Sequence, residues 1–227
     1  MLTAIALTPS APVLVPELAG AAAAEVAGFR TAAIEAASAL PDQWIAIGVG
    51  PQDMVISRVG GTFAGYGADV PVALCPDAPG PPAELPLCAV FAGWLRGQAN
   101  PQAAVSVRVH QHDLDAEEAL ARGRLLRELV DAESEPIGIL VVADGCKTLG
   151  PSAPGGEDPD AQQAQSALDD ALATGDTAAL TRLPDGVVGR VAYQVLAGLV
   201  GSGPRSAHEL IRGAPYGVGY FVGVWSP

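Results

Sequence analysis

Polar side chains that could carry chemistry follow three strand-like segments of the chain, each at the point where the segment ends. The three loops contain Thr8 and Ser10, then Gln52 and Asp53, and then Asp144, Cys146 and Lys147. In an open α/β sheet, loops that leave the carboxyl ends of the strands converge on one crevice. The pattern therefore predicts a shared site, although each loop taken singly is also compatible with an ordinary turn.

One interpretation of these residues is nucleophilic catalysis. Ser10 would attack, His208 would act as the base and Asp144 would orient that base, as in a Ser-His-Asp triad. The Gly-x-Ser-x-Gly elbow is missing, and nothing in the spacing brings the three side chains together. Cys146 is a second candidate nucleophile, because the neighbouring Lys147 is a means of lowering the pKa of its thiol. Together these residues define a Ser- or Cys-based hydrolase hypothesis.

Histidine and acidic residues suggest a metal site as a further hypothesis. His110 and His112 alternate at a strand end, so their rings would face the same side, and Asp113 is adjacent. With Asp113 nearby, the two histidines are a possible metal pair. The alternative is a solvated strand end, because the pair directly precedes a predicted helix. His208 and Glu209 fall in a short helix pattern, where we expect His208 at the surface or at a helix end.

Strand-like and helix-like segments alternate along the chain, which is typical of a sheet covered by helices. The strand-like segments are residues 4–7, 44–49, 70–74, 104–110, 137–143 and 220–225. The helix-like segments are residues 16–40, 84–98, 115–130, a segment opening at Asp158-Pro159, and 186–200. Asp115 is the predicted N-cap of its helix, with Glu118 completing a capping box. Residues 147–157 form a loop rich in glycine and proline after the most apolar strand, so they are a candidate site loop.

Composition limits the class of protein. A chain of 227 residues, 49% of them hydrophobic, is long enough to bury one sizeable core. A net charge of −13 without any basic run argues against nucleic acid as a partner, and no apolar segment is long enough to span a membrane. The 3 cysteines lack CxxC spacing and no signal peptide is apparent, so we expect reduced thiols and a cytoplasmic protein.

Four segments of the chain, in order, carry a resemblance to a known family. They are residues 7–17 (LTPSAPVLVPE), 141–145 (VVADG), 192–198 (AYQVLAG) and 214–221 (APYGVGYF). The chain resembles an actinobacterial branch of the class III extradiol ring-cleavage dioxygenases, the LigB-type proteins, to which Memo-like proteins are related. The resemblance implies a single α/β domain over residues 1–227, with a mixed central sheet flanked by helices. Active members of the family hold Fe(II) with two histidines and a glutamate, leaving open positions for a catechol-type substrate and oxygen.

The chain departs from the family at the metal positions. The family's Pro-His-x-Pro pattern reads here with Ser10 in place of the histidine. At the other two positions that match family histidines stand Gln52 with Asp53, and Cys146 with Lys147. Glu209 is the nearest candidate, by position, for the metal glutamate. Since a serine hydroxyl and a glutamine amide are poor ligands for Fe(II), the resemblance predicts a retained fold without its iron site.

We therefore expect a metal-free homologue of the LigB-type dioxygenases that binds a small polar or aromatic molecule. The loops of Ser10, of Gln52 and Asp53, and of Asp144 would form the pocket, and Tyr216 would close it. No cofactor is expected, and Fe(II) only if the chain is instead an active ring-cleavage dioxygenase. Two rival hypotheses are a Ser- or Cys-based hydrolase and an interaction protein with a filled pocket. A homo-oligomer is compatible with each of these functions.

Overall fold

A seven-stranded mixed sheet lies at the centre of the molecule, in a computed structural model that describes residues 1–227. The strands are β1 (Leu2–Thr8), β2 (Gln43–Gly50), β3 (Met54–Ser57), β4 (Gly60–Thr62), β5 (Pro71–Ala73), β6 (Ala104–Gln111), β7 (Ile137–Val142), β8 (Ser206–Gly213) and β9 (Tyr220–Ser226). The order across the central sheet is β3-β6-β2-β7-β1-β9-β8, while β4 and β5 pair separately. Strands β6, β2, β7 and β1 run parallel, so their carboxyl ends lie along one edge.

Helices cover both faces of this sheet. They are α1 (Pro16–Ala19), α2 (Ala27–Ser38), α3 (Leu87–Ala99), α4 (Ala116–Ala132), α5 (Ala161–Thr174), α6 (Thr177–Leu180) and α7 (Arg190–Val200). α2 and α3 pack in the apolar core of one face, and α4, α5 and α7 pack in the core of the other. The predicted single α/β domain with a mixed central sheet and flanking helices is confirmed. None of the helices combines the length and apolar character that a membrane crossing requires.

The strand before the predicted site loop is the most deeply buried of the sheet. Every residue of β7 is buried, because β2 and β1 flank it and helices cover both of its faces. Its continuous apolar sequence is what a strand buried on both faces requires. The predicted cap of α4 is also present, since the Asp115 side chain accepts a hydrogen bond from the Glu118 N–H at 2.8 Å. These local signals were strong enough to be read from the sequence.

Two glycines set the contact between α4 and α7. A Cβ atom on Gly123 would lie 2.1 Å from the carbonyl oxygen of Val195, and one on Gly198 would lie 2.2 Å from that of Leu120. Distances this short are not possible for real carbon and oxygen atoms. The two helices therefore pack backbone against backbone at a spacing that only glycine permits.

Several boundaries differ from the sequence predictions. The single helix predicted for residues 16–40 is divided into α1 and α2, because Gly20 adopts a φ of 52° that ends α1. Residues 70–74 contain β5, which belongs to the small sheet and not to the central one. Asp158 accepts a hydrogen bond from the Asp160 N–H, and α5 begins two residues later than predicted, at Ala161.

The largest difference between the predicted and the observed secondary structure lies in the C-terminal region. His208 and Glu209, predicted to be helical, lie in the outer strand β8, which pairs with β9. β8 was missed because it is an edge strand whose residues are mostly half-buried or exposed, so the alternation of apolar and polar residues is weak. Strands β3 and β4 were also missed, since each is too short to show a period.

Candidate functional site

A carboxyl group and a loop backbone meet between the carboxyl ends of β1 and β7. The Ser10 N–H donates a hydrogen bond to Oδ1 of Asp144 at 2.8 Å. Oδ2 of Asp144 has no hydrogen-bond partner in the protein, and the residue as a whole is half-buried. Because β1 and β7 are adjacent and parallel, the predicted convergence of the Ser10 and Asp144 loops holds. We name this junction of the two loops, with its carboxylate oxygen that has no protein partner, the Asp144 crevice.

Burial strongly perturbs this carboxyl group. Loss of hydration raises the pKa of Asp144 from 3.8 to about 6, while the hydrogen bond from the Ser10 N–H acts in the opposite direction. A carboxyl of this kind changes charge near neutral pH, so it is able both to accept and to donate a proton there. Perturbed carboxyls of this type concentrate at functional sites, although structural ones also occur.

Two tyrosines lie close to the carboxyl of Asp144. Tyr220, at the start of β9, has no hydrogen-bond partner for its hydroxyl, and burial followed by the charge of Asp144 raises its pKa. Its ring stacks edge-on against Phe29, with centroids 5.7 Å apart. The buried Tyr193 donates its hydroxyl proton to the carbonyl oxygen of Ala143 at 2.8 Å, which holds the base of the loop. Tyr220 thus supplies a second free polar group next to Asp144.

The predicted lid residue has an unusual backbone. Tyr216 adopts φ 60°, one of only two non-glycine residues with positive φ. Its hydroxyl donates to Oε2 of Glu25 at 2.6 Å, which ties the turn before β9 to the segment before α2. The side chain is close enough to Tyr220 to contribute to that residue's pKa shift. A strained backbone at such a position is a feature that functional turns often show.

Gln165, a buried residue of α5 that was not predicted from the sequence, supports the loop that carries Asp144. Gln165 accepts a hydrogen bond from the Cys146 N–H at 2.8 Å and donates one to Asp169 at 2.8 Å. Cβ atoms on Gly145 and Gly219 would lie 2.1 and 2.0 Å from its Oε1. Any larger side chain at Gly145 or Gly219 would collide with the Gln165 amide, which explains why the loop after β7 and the closing segment have glycine at these positions.

The closing segment and the loop after β7 are also joined through their backbones. The Gly145 N–H donates to the carbonyl oxygen of Gly219, and the Gly219 N–H donates to that of Cys146, each at 2.8 Å. The Leu149 N–H donates to the carbonyl oxygen of Gly217 at 3.1 Å. These bonds fix the loop that carries Asp144 against the turn that carries Tyr216.

Gln52 and Asp53 do not join the Asp144 crevice, so this part of the predicted pocket is wrong. Asp53 forms an ion pair with Arg122 at 2.6 Å and accepts from the Gln111 N–H at 2.9 Å. Both partners lie on the β6 side of β2, whereas β1 lies beyond β7 on the other side. Gln52 is exposed in the same turn. Local sequence patterns do not specify the order of strands in a sheet, so they could not predict this position of Asp53.

Cys146 and Lys147 also differ from the prediction. The Cys146 side chain is buried, and burial together with the charges of Asp158 and Asp169 raises the pKa of its thiol. The Lys147 side chain points into solvent and does not counteract these effects. Instead of an activated nucleophile, Cys146 is a structural residue whose backbone ties the loop to Gln165.

The proposed triad is not assembled. His208 is exposed on β8, two strands from β1, and its register partner in β9 is Val224, which is opposite Ala6 and not the Ser10 loop. Glu209 is half-buried on the same outer strand and forms an ion pair with Arg212 at 3.4 Å. Neither residue reaches Asp144, whose one protein partner is the Ser10 N–H.

The histidine pair proposed for a metal is separated as well. His110 is buried beneath α4, whereas His112 lies beyond the end of β6 with its Nδ1 3.1 Å from the carbonyl oxygen of Gly50. No three His, Cys, Asp or Glu side chains are grouped as a metal site would need. The iron that the family resemblance implies therefore does not fit these residues: Ser10 and Gln52 offer neutral oxygen atoms, and the two lie in different places.

A polar cavity lies farther along the same edge of the sheet. It has a volume of about 560 Å³. Its polar lining consists of His112, Asp113, Lys147, Thr148, Asp158, Asp185 and Arg190. Arg190 is occupied by Asp185 at 3.2 Å and by the carbonyl oxygen of Leu114 at 3.0 Å. Of the predicted site residues, Lys147 lines this cavity, whereas Ser10 and Asp144 do not.

The fold and crevice define a mixed α/β protein with its polar residues at the carboxyl ends of parallel strands. The chain is similar in structure to a solved, uncharacterized protein from Escherichia coli K12, JW3007, with a TM-score of 0.60 and 13% sequence identity. The similarity covers 99% of this chain and 100% of that one. At this identity the likeness shows the fold alone. No family model and no curated protein sequence matches the chain.

Proposed function

We propose that the chain is a LigB-type homologue that binds a small phenolic molecule in the Asp144 crevice without a metal ion. The observation that carries this proposal is the unpaired Oδ2 of Asp144, at the carboxyl ends of β1 and β7 and near the unpaired hydroxyl of Tyr220. The four sequence segments that resemble the family support it. Ser10, in the first segment, donates its N–H to Asp144 in the second, and Tyr220 of the fourth segment is close enough for the Asp144 charge to raise its pKa.

The chemistry of the crevice suits a ligand with hydroxyl groups on an aromatic ring. Asp144 accepts a hydrogen bond when ionised and donates one when protonated, and its pKa of about 6 makes both forms accessible. Tyr220 offers a hydroxyl that donates or accepts. The Phe29 ring packs edge-on against the Tyr220 ring. A catechol, with two adjacent hydroxyls, satisfies both polar groups at once.

The arrangement favours binding over the family's iron chemistry. The positions where imidazole ligands are expected hold Ser10 and Gln52, and the loops of these residues are not adjacent. A Ser-based hydrolase receives no support, because His208 is remote from Ser10. We therefore propose ligand binding at the position of the family's site, without the metal-dependent reaction of the family.

Iron analysis tests the metal-free part of the proposal. The purified chain is incubated with excess Fe(II) without oxygen, desalted and analysed by atomic emission, with an established Fe(II) oxygenase as the positive control. We expect iron well below one atom per chain, unchanged by Gln52→Ala. Near-stoichiometric iron that is lost on replacing Gln52 or Asp53 would contradict the proposal.

A further inference from the structure

A second cleft lies between α4 and the outer strands β3 and β6. It has a volume of about 400 Å³ and is separate from the Asp144 crevice, because β2 and β7 stand between β6 and β1. Its apolar walls are Met54, Val55, Val109, Leu125, Leu126 and Leu129, and its polar lining is Asp53, Arg108, His110 and Arg122. We call it the α4 cleft.

Two nitrogen atoms in this cleft are buried without a hydrogen-bond partner. They are Nε of Arg108 and Nε2 of His110, and the chain contains no other enclosed side-chain nitrogen or oxygen atom in this condition. The two residues are two positions apart on β6, so both side chains point to the same face of the sheet, beneath α4. Each buried unpaired polar group costs about 1–3 kcal/mol of stability. A ligand that satisfied both groups would recover that cost.

Both unpartnered atoms are donors, since Nε of arginine always carries a hydrogen and the tautomer of His110 places one on Nε2. Nδ1 of His110 lies 3.5 Å from a terminal nitrogen of Arg122, and a guanidinium group only donates. Nδ1 is therefore the acceptor, and Nε2 carries the ring proton. Burial lowers the pKa of His110 to about 4, so the ring is neutral at pH 7. The cleft thus presents two buried N–H groups and needs an acceptor.

Charge points to an anionic acceptor. Arg122 is already paired with Asp53 at 2.6 Å and with Glu118 at 2.9 Å, whereas Arg108 forms no ion pair. The acidic group of the cleft, Asp53, is held by Arg122 and by a backbone N–H. Arg108 is therefore the cation of the cleft that has no carboxylate within ion-pair distance, and it lies beside the His110 N–H. A carboxylate matches this pair, because it accepts two hydrogen bonds and carries one negative charge.

The mouth of the cleft is unusually apolar for a surface. Val55, Leu125 and Leu129 are 64%, 58% and 53% exposed, which makes them three of the most exposed large apolar residues in the chain. They lie around the same opening, on β3 and on α4. Grouped exposed apolar side chains of this kind are typical of binding sites. They would contact the hydrocarbon part of a ligand whose head group reaches Arg108.

We propose that the α4 cleft binds a medium-chain monocarboxylic acid. Its carboxylate accepts hydrogen bonds from Arg108 and His110, and its hydrocarbon chain covers Val55, Leu125 and Leu129. Both nitrogen atoms are enclosed by neighbouring side chains, so binding requires side chains at the mouth of the cleft to move aside. This site is independent of the proposed function of the Asp144 crevice.

Calorimetric titration with octanoate at pH 7 tests the proposal, with 1-octanol as the ligand of equal chain length that lacks the acid group. We expect one saturable site for octanoate and binding of 1-octanol weaker by about tenfold or more, since a charged hydrogen bond contributes about 1.5–3 kcal/mol. Arg108→Gln should weaken octanoate binding by a similar factor. Arg124→Gln, an exposed arginine of α4 outside the cleft, is the matched control and should change binding by less than about twofold.

Three outcomes would overturn the proposal. Octanoate does not bind saturably; octanoate and 1-octanol bind equally; or Arg108→Gln binds octanoate as the unaltered chain does. Thermal unfolding of each variant shows that it is folded. Sedimentation of the same samples tests a competing occupant, a second copy of the chain across the β3 edge. A dimer that Val55→Lys dissociates, together with no octanoate binding, would assign the surface to self-association.

Discussion

Replacing Asp144 with asparagine should make the protein more stable at neutral pH. The folded carboxyl has its pKa raised from 3.8 to about 6, so burial disfavours its ionised form by about two pKa units. At about 1.4 kcal/mol per unit, ionisation costs the folded state about 3 kcal/mol. Asparagine keeps the acceptor for the Ser10 N–H and carries no charge, so it escapes this cost.

The sign of the pH dependence follows from the direction of the shift. Between about pH 4 and pH 6 the folded carboxyl holds its proton more tightly than the unfolded one, so the native chain loses stability as pH rises through this window. The full cost is present above about pH 6 and absent below about pH 4. The free energy of unfolding of Asp144→Asn, minus that of the native chain, should therefore increase by about 2.5 kcal/mol from pH 4 to pH 8.

Urea unfolding at pH 4, 5, 6, 7 and 8, followed by circular dichroism, measures this difference. The raised pKa of Asp169 contributes equally to both chains and cancels. Asp77→Asn, which removes the same charge from an exposed loop, is the control. If the difference between Asp144→Asn and the native chain stays constant within about 0.5 kcal/mol over this range, the burial of Asp144 has been misjudged.

Three further predictions concern the supporting structure. Gly123→Ala should lower the free energy of unfolding by about 2–3 kcal/mol, because its Cβ would lie 2.1 Å from a carbonyl oxygen of α7. Gly97→Ala, at an open position of α3, is the control and should raise the free energy of unfolding by about 0.5–1 kcal/mol. Equal effects of the two substitutions in urea unfolding would refute the close helix contact. Cys146 should react with an aromatic disulfide reagent far more slowly in the native chain than in urea, since burial raises the pKa of its thiol, and fast native reaction would count against this. Arg96→Met should cost about 3 kcal/mol or more, because the buried guanidinium donates to three backbone carbonyl groups; a loss below about 1 kcal/mol in urea unfolding would show that these bonds contribute little.

Local signals in the sequence predicted the parts of the fold that depend on local physics. β7 is apolar throughout because both of its faces are buried, and α4 begins at Asp115 because its side chain caps the first turn. The division of α1 from α2 was not predicted. It depends on a positive φ at Gly20, and the one sequence feature that indicates this φ is the glycine itself. β8 was missed for a related reason, since an edge strand lacks a clear alternation.

The candidate site was predictable to the extent that it depends on neighbouring strands. Ser10 and Asp144 meet because β1 and β7 pair directly, and both follow strand ends. Asp53 was misplaced because its partner Arg122 comes from α4, 69 positions away, on the far side of β2. The support that Gln165 gives to two glycine turns is likewise long-range. Contacts of this kind depend on strand order, which local patterns do not specify.

Catechol binding in the presence of EDTA tests the central claim most directly. The titration is followed by calorimetry and by the amide resonances of Gly145 and Gly219, which flank the Asp144 loop. We predict saturable catechol binding that EDTA does not change. Tyr220→Phe and Asp144→Asn should each weaken this binding by about tenfold. His208→Gln, at an exposed position on β8, should leave the binding unchanged. Binding that appears only after Fe(II) is added, or no saturable binding in any form, would contradict the account.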